Sequence, residues 1–251
     1  MGLHVKSKRV DGYHDLETIF YPVNYCDVLE IIPSDELAFT SSGIDIPGDG
    51  NLCLDAYHLL KQGFNIPAVH IHLHKIIPIG AGLGGGSSDA AFTLKGLNDL
   101  FDLQLNNEQL RMYALQIGAD CPFFIENKPM LATGIGEVLE PIDLDLSAYH
   151  IAIVNSDIHV STAEAYSGVT PNDPLCSLRN LIKPPVKEWQ IQNDFEQSVF
   201  AKHPAIEDLK KSMYKQGAIY AAMSGSGSSV FGLFESRPNL NCIDSSFFLV
   251  E

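Results

Sequence analysis

The sequence predicts an α+β fold in two parts, and three observations carry that prediction. Val69-His70-Ile71-His72-Leu73-His74 alternates apolar and polar residues with the period of a strand. It runs into a glycine-dense segment and then into Ala90, Ala91, Leu94, Leu97 and Leu100, which recur at helical spacing, so a helix is expected to start near Ser87 and Ser88. Late in the chain, Ala221–Phe234 repeats the design of an apolar strand and a glycine-serine loop. Between the two lies the acid-rich stretch from Glu137 to Asp145, broken by Pro141, which places a domain boundary near 145 and gives domains of 1–145 and 146–251.

Near the start, Lys6, Lys8 and Arg9 gather basic charge ahead of the turn signal Asp11-Gly12. Tyr13-His14 follows, an aromatic face beside a ring with one donor and one acceptor nitrogen; a solvated hairpin tip accounts for it equally well. Glu17 to Val23 and Asp27 to Ile32 read as strands. Pro47-Gly48-Asp49-Gly50 is a turn, and Asn51 is the expected N-cap of a helix through Leu60. His70, His72 and His74 share one strand face. Three such positions span about 13 Å, too far for ligands of one zinc, so a solvent-facing row is expected. The helix after the glycine segment ends near Phe101; another opens at Asn107-Glu108 and closes at Gly118. Asp120 sits between that close and an apolar Cys-Pro-Phe-Phe run, either as a functional carboxylate or as the cap of the next turn. His150 to Val154 opens the second part as a strand, Asn193-Asp194-Phe195-Glu196 opens a helix in a structural role, and the tail from Pro238 carries no pattern.

Composition narrows the function. The chain has 251 residues, 45% of them hydrophobic, and a formal charge of -15. That length supports two domains of ordinary size. So acidic a chain is a poor partner for nucleic acid, and an anionic substrate needs a local site that overcomes the global field. No run approaches the ~18 apolar residues of a membrane span, and the start lacks the apolar core of a signal peptide. Cys26, Cys53, Cys121, Cys176 and Cys242 are odd in number and show no C-x-x-C spacing, which fits reduced thiols in a cytoplasmic enzyme.

The stretch Pro78-Ile79-Gly80-Ala81-Gly82-Leu83-Gly84-Gly85-Gly86-Ser87-Ser88-Asp89-Ala90-Ala91 holds the most chemistry. Strand, glycine loop and helix N-terminus together hold a phosphate, because bare N–H groups and the positive end of the helix dipole both face the anion. Gly80-Ala81-Gly82-Leu83-Gly84-Gly85 matches G-x-G-x-x-G, yet the acidic-ended strand of a dinucleotide fold does not follow. A P-loop ends in G-K-[ST], and here Gly86-Ser87-Ser88 has no lysine. A flexible linker would not sit between an amphipathic strand and an apolar helix face.

Pro-x-x-x-Gly-Leu-Gly-Gly-Gly-Ser-Ser-x-Ala-Ala resembles the phosphate-binding motif of the GHMP small-molecule kinases. The triple glycine, and Ser-Lys-Arg-x-Asp-Gly-Tyr-His-Asp-Leu upstream, resemble the branch that phosphorylates the 2-hydroxyl of 4-diphosphocytidyl-2-C-methyl-D-erythritol in isoprenoid precursor synthesis. The resemblance spans roughly residues 2 to 235. It implies ATP and Mg²⁺ as cofactors, with no residue assigned to the metal, and a cytoplasmic enzyme that is a monomer or weak homodimer. It implies a ribosomal protein S5 domain 2-like N-terminal domain and a ferredoxin-like C-terminal domain, with substrate in the cleft between them. Pro78, Gly80, Gly82, Leu83, Gly84, Gly85, Gly86, Ser87 and Ser88 then hold ATP phosphates, and Lys75 and Asn51 lie near the adenine. Gly-Ala-Asp-x-Pro-Phe-Phe implies Asp120 as the catalytic aspartate. Tyr13 stacks on cytosine and His14 bonds its edge, with Tyr166 as the second ring or as an ordinary packed tyrosine. Ser224, Gly225, Ser226 and Gly227 form the third motif, which closes over the phosphates.

The sequence departs from that pattern at one place. Family members carry Lys-x-Asn immediately before the Gly-Leu that is Gly2-Leu3 here, and Lys6 and Lys8 lie beyond it. The expectation is a chain shortened at its start, in which binding persists and turnover is weak; a chain that has lost activity is the alternative.

Overall fold

The computed structural model describes residues 1–48 and 50–240 and the backbone of one further strand at 246–250. Asp49 of the expected turn and Cys242 lie outside the described residues. The strands are β1 (Leu3–Lys8), β2 (His14–Phe20), β3 (Val28–Pro33), β4 (Ala38–Gly43), β5 (Val69–Lys75), β6 (Met130–Gly134), β7 (Val138–Pro141), β8 (His150–Asn155), β9 (Tyr220–Met223), β10 (Val230–Phe234) and β11 (Ser246–Val250). The helices are α1 (Leu52–Gly63), α2 (Gly85–Leu100), α3 (Asn107–Ile117), α4 (Cys121–Glu126), α5 (Thr162–Ser167), α6 (Leu178–Leu181), α7 (Glu196–Lys202) and α8 (Pro204–Lys215). Both classes of element are interleaved, as the α+β reading expects.

The chain divides into two compact units. One contains Met1–Tyr25, Gly80–Leu83 and Pro129–Glu251; the other contains Cys26–Ile79 and Gly84–Lys128. This division does not follow a sequential cut at 145. The first 25 residues group with the C-terminal part because β1 and β2 pair with β6 and β7 in one antiparallel sheet of order β1-β2-β6-β7.

The unit built on Cys26–Ile79 and Gly84–Lys128 is a three-stranded sheet of order β3-β5-β4 with α1–α4 on one face. Period-two alternation in β5 sends Val69, Ile71 and Leu73 into the core and leaves its histidines on the other face. Leu94 and Leu97 of α2, Tyr57 and Leu60 of α1, and Leu110 and Ala114 of α3 close over the inner face. Asn51 caps α1 as expected: its side chain accepts the Cys53 N–H at 2.8 Å. Helix α3 opens at Asn107 as expected, and Asn106 and Gln109 form a reciprocal capping box ahead of it. Gly118 ends α3 in extended backbone, so its role there needs no left-handed turn.

The other unit carries the β1-β2-β6-β7 sheet and a second antiparallel sheet of order β11-β8-β10-β9. Val199 of α7 and Ile206 and Met213 of α8 pack on Ala152, Val154, Ala221 and Val230 of that second sheet. After β8 the chain turns into α5, which Ser161 caps by accepting the Glu164 N–H at 3.1 Å. The unpatterned tail supplies β11, paired antiparallel with β8. No helix of the described residues is long and apolar enough to cross a membrane.

The packing of α2 is open to direct test. Leu94 is fully buried and Phe92, on the same helix, is exposed. Leu94→Ala is expected to lower the unfolding free energy by about 2–5 kcal/mol, whereas Phe92→Ala should change it by about 0.5 kcal/mol or less. Equilibrium denaturant titration of the two variants measures the difference.

Candidate active site

Helix α2 starts at Gly85, earlier than the serines suggested, and its N-cap is Gly84 in the left-handed region at φ 69°. No side chain caps this end. The first-turn N–H groups of Gly85, Gly86 and Ser87 therefore have no acceptor within the helix, and the helix dipole adds positive potential at the same point. A Cβ at Gly84 would meet the Phe124 ring at 2.8 Å, so a side chain is excluded there by contact as well as by backbone conformation.

Asp120 lies against this helix end. Its Oδ1 accepts the Ser87 hydroxyl at 2.8 Å. Asp120 occupies the N-cap position of α4 but makes no side-chain capping bond, so the capping role is not the one it serves. Burial raises its pKa above the ordinary aspartate value, and the Ser87 hydrogen bond opposes that rise. A partly buried carboxylate with a raised pKa beside free helix N–H groups is the constellation for orienting and deprotonating a hydroxyl next to a phosphate. Cys121, next in sequence, is no rival nucleophile: burial pushes its thiol up to about 12, and does the same for Cys53.

Lys75 does not stand free for a nucleotide. Only 4% exposed, its ammonium donates to Asp27 at 2.5 Å and to Asp89 at 2.7 Å. Burial works against its charge and is outweighed by these two carboxylates, so its pKa is raised. Burial likewise pushes Asp89 up, to about 6, with Lys75 opposing and Asp27 adding to the rise. Asp27 also accepts the N–H groups of Ile76 and Ile77, at 2.5 and 2.8 Å. The position that sequence resemblance gave to adenine is thus an internal ion cluster. Asn51 is likewise engaged in capping α1.

The outward histidines of β5 are joined to the neighbouring strand. Thr40 Oγ1 lies 2.9 Å from His70 Nε2 and 2.8 Å from His72 Nδ1, and Ser42 Oγ lies 3.0 Å from His72 Nε2 and 2.9 Å from His74 Nδ1. These rings bond hydroxyls. Among the described residues no group of three or more His, Cys, Asp or Glu is arranged to hold a metal ion.

In the other unit, the first part of the glycine loop meets the third motif. Gly82 has φ 72°, and a Cβ there would stand 2.2 Å from the Ser224 carbonyl oxygen. The Ser224 hydroxyl donates to the Gly82 carbonyl at 2.8 Å, and the Ser229 N–H donates to that of Ala81 at 3.1 Å. Gly225 also approaches Gly82, while Ser226 stays half-buried on the same turn. Asn193, read from sequence as structural, holds this turn by donating to the carbonyls of Met223 at 3.0 Å and Gly225 at 2.8 Å. Glu196 adds to it by accepting the Met223 N–H at 2.8 Å. Sequence gave no signal for either bond, because the partners lie about thirty residues away.

His14 stacks on Tyr166 with ring centroids 4.8 Å apart and planes 21° from parallel, and Tyr166 packs edge-on against Phe195. Tyr13 is 61% exposed. Of the positions expected at cytosine, His14 and Tyr166 thus touch each other and Tyr13 lies on the surface. A cavity of about 360 Å³ in this unit is lined by Lys6, Ser7, Asp15, Leu16, Thr133, Gly134 and Asp173. Lys6 pairs there with Glu17 at 3.3 Å and Asp173 at 3.7 Å.

Comparison with known proteins follows the same lines. The family descriptions "GHMP kinases N terminal domain" and "GHMP kinases C terminal" match residues 51–128 and 182–241. A 4-diphosphocytidyl-2-C-methyl-D-erythritol kinase of Parabacteroides distasonis is 55% identical, over 94% of this chain and 88% of its own. The protein of the same name from Cytophaga hutchinsonii is 54% identical, over 95% and 90%. Among solved structures, a 4-(cytidine 5'-diphospho)-2C-methyl-D-erythritol kinase superposes with TM-score 0.78 at 32% identity, covering 92% of this chain and 85% of that one. A homoserine kinase of Cytophaga hutchinsonii, at TM-score 0.65 and 16% identity, shares the fold.

The contact of Gly82 with the third motif predicts a stability cost. Gly82→Ala should destabilise by about 1–3 kcal/mol through its backbone conformation and the Ser224 contact. Gly50→Ala, with nothing within 4 Å of the new methyl, serves as the control and should leave the denaturation midpoint close to wild type.

Proposed function

The chain belongs to the GHMP kinases, and from that premise we propose that it transfers the γ-phosphate of ATP to the 2-hydroxyl of 4-diphosphocytidyl-2-C-methyl-D-erythritol. Relatives of that name at half identity or more over nearly the whole chain support the substrate, and the Tyr13, His14 and Tyr166 rings supply a chemistry for its cytosine. The observation that carries the catalytic part is the Asp120 carboxylate bonded to Ser87 at the open N-terminus of α2.

Phosphoryl transfer asks the protein for positioning and charge stabilisation more than for covalent chemistry. The N–H groups of Gly85, Gly86 and Ser87 receive phosphate oxygens. Asp120 orients the attacking hydroxyl and takes its proton. Magnesium is the metal this chemistry calls for. The Ser87 hydroxyl and Asp120 carboxylate are the hard oxygen donors that suit it, in keeping with an ion held by one or two protein oxygens plus nucleotide phosphates. When bound, it offsets phosphate charge.

Asp120→Asn keeps shape and removes the proton acceptor. We expect kcat to fall by about 10²–10⁴-fold; unchanged turnover would remove Asp120 from this role. Because burial raises the Asp120 pKa and the ionised form is the active one, the acid limb of kcat/KM should lie above about pH 4, the ordinary aspartate value. It should be absent from the residual activity of Asp120→Asn.

The substrate is tested separately. Tyr13→Ala should weaken the cytidine substrate by about 1–3 kcal/mol, the worth of one base-stacking ring, and leave the KM for ATP unchanged. Calorimetric titration with cytidine nucleotides decides the substrate class: no affinity for them would point to a different small-molecule alcohol.

A further inference from the structure

We propose that Asp89 is a positioning residue of the phosphate loop: with Lys75 and Asp27 it forms a three-way clamp that fixes the first turns of α2 against the end of β5. The inference rests on reading the loop as the nucleotide site. Its own substance is how the loop is held.

Lys75 is the last residue of β5, and Asp89 lies in the second turn of α2. Between them the chain makes the whole glycine segment, leaving this unit after Ile79 and re-entering at Gly84. One ion pair of 2.7 Å therefore joins the two ends of that segment. Asp27, just before β3, accepts from the same ammonium and from the N–H groups of Ile76 and Ile77, so the exit path is fixed as well. The clamp reaches the loop directly: a Cβ at Gly85 would come within 3.1 Å of Lys75 Nζ.

The charge balance argues that this arrangement is not there for stability. Two carboxylates share one ammonium, which leaves one surplus negative charge buried behind a site for anions. A surplus charge in that place opposes both folding and phosphate binding. Asp27 alone would neutralise Lys75, so Asp89 is the member that stability does not require. Asp89 faces Lys75 from β5, Asp27 from the β3 side and the Cys53 thiol from α1.

The experiment compares wild type with Asp89→Asn, which retains shape and leaves a neutral Lys75–Asp27 pair. Amide hydrogen exchange, corrected for intrinsic rate, is read at Ile76, Ile77 and Gly85–Ser88. Binding of a non-hydrolysable ATP analogue with Mg²⁺ is read by calorimetry. For Asp89→Asn we expect faster loop exchange, analogue affinity about tenfold weaker, as for a site competent in a tenth of molecules, and a melting temperature not lowered. Loop exchange and affinity equal to wild type would overturn the proposal. So would faster exchange spread evenly over β3–β5 with a lowered melting temperature, the mark of a merely structural residue. If that variant does not fold, Asp89→Ser is read in the same way, and loop exchange and affinity equal to wild type overturn the proposal. Exchange needs no ligand, so it stands apart from failure of the kinase reading, which would appear as wild type without nucleotide affinity.

Discussion

A phosphate loop made of glycine has to be bare and rigid at once. Side chains are excluded because N–H groups must come close to the anion, yet glycine loses more conformational freedom on ordering than any other residue and brings no side chain to hold itself in place. The order must come from elsewhere. In this chain it comes from two sides. Lys75, Asp27 and Asp89 tie the segment's ends within one unit. Ser224 and Ser229 hold the carbonyls of Gly82 and Ala81 in the other.

The same constraint explains the electrostatics. A chain of formal charge -15 repels nucleotides at long range, so attraction must be local. Lys75, the cation closest in sequence to the loop, is spent on two carboxylates and adds no net positive charge. What remains at the loop is the row of unbonded N–H groups at the start of α2 and its dipole. Fixed dipoles of this kind need no reorganisation when charge moves during transfer, provided their direction is held. Accuracy in aiming the helix end therefore matters more here than an additional cation would.

Local pattern made the frame legible. The alternation of β5, the spacing in α2, the cap at Asn51 and the glycine motif are properties of a few consecutive residues, and the structure follows them. Asp120 was legible from its neighbours as well, although its partner Ser87 was not named as such. What could not be read were the partners of charged groups. Lys75 was placed at the nucleotide by resemblance alone; the acids that enclose it lie 48 and 14 residues away. The grouping of β1 and β2 with the C-terminal half was hidden for the same reason: strand pairing over a hundred residues leaves no mark in either strand.

Those distant acids follow one rule. Asp27 accepts backbone N–H groups at the end of β5, Glu196 the N–H of Met223, Asp194 that of Val5, and Glu17 that of Leu178. These N–H groups lie just past β5, at the end of β9, within the edge strand β1 and at the start of α6. An unpaired buried N–H costs about 1–3 kcal/mol, and a charged acceptor forms a stronger bond than a neutral one. The acidity of the sequence is in this part internal architecture and not only surface. Each carboxylate used this way must shed water, which is tolerable only where several donors converge on it. Asp27, with an ammonium and two N–H groups, meets that condition fully. Asp89 meets it through Lys75 alone, and burial pushes its pKa up against that pairing.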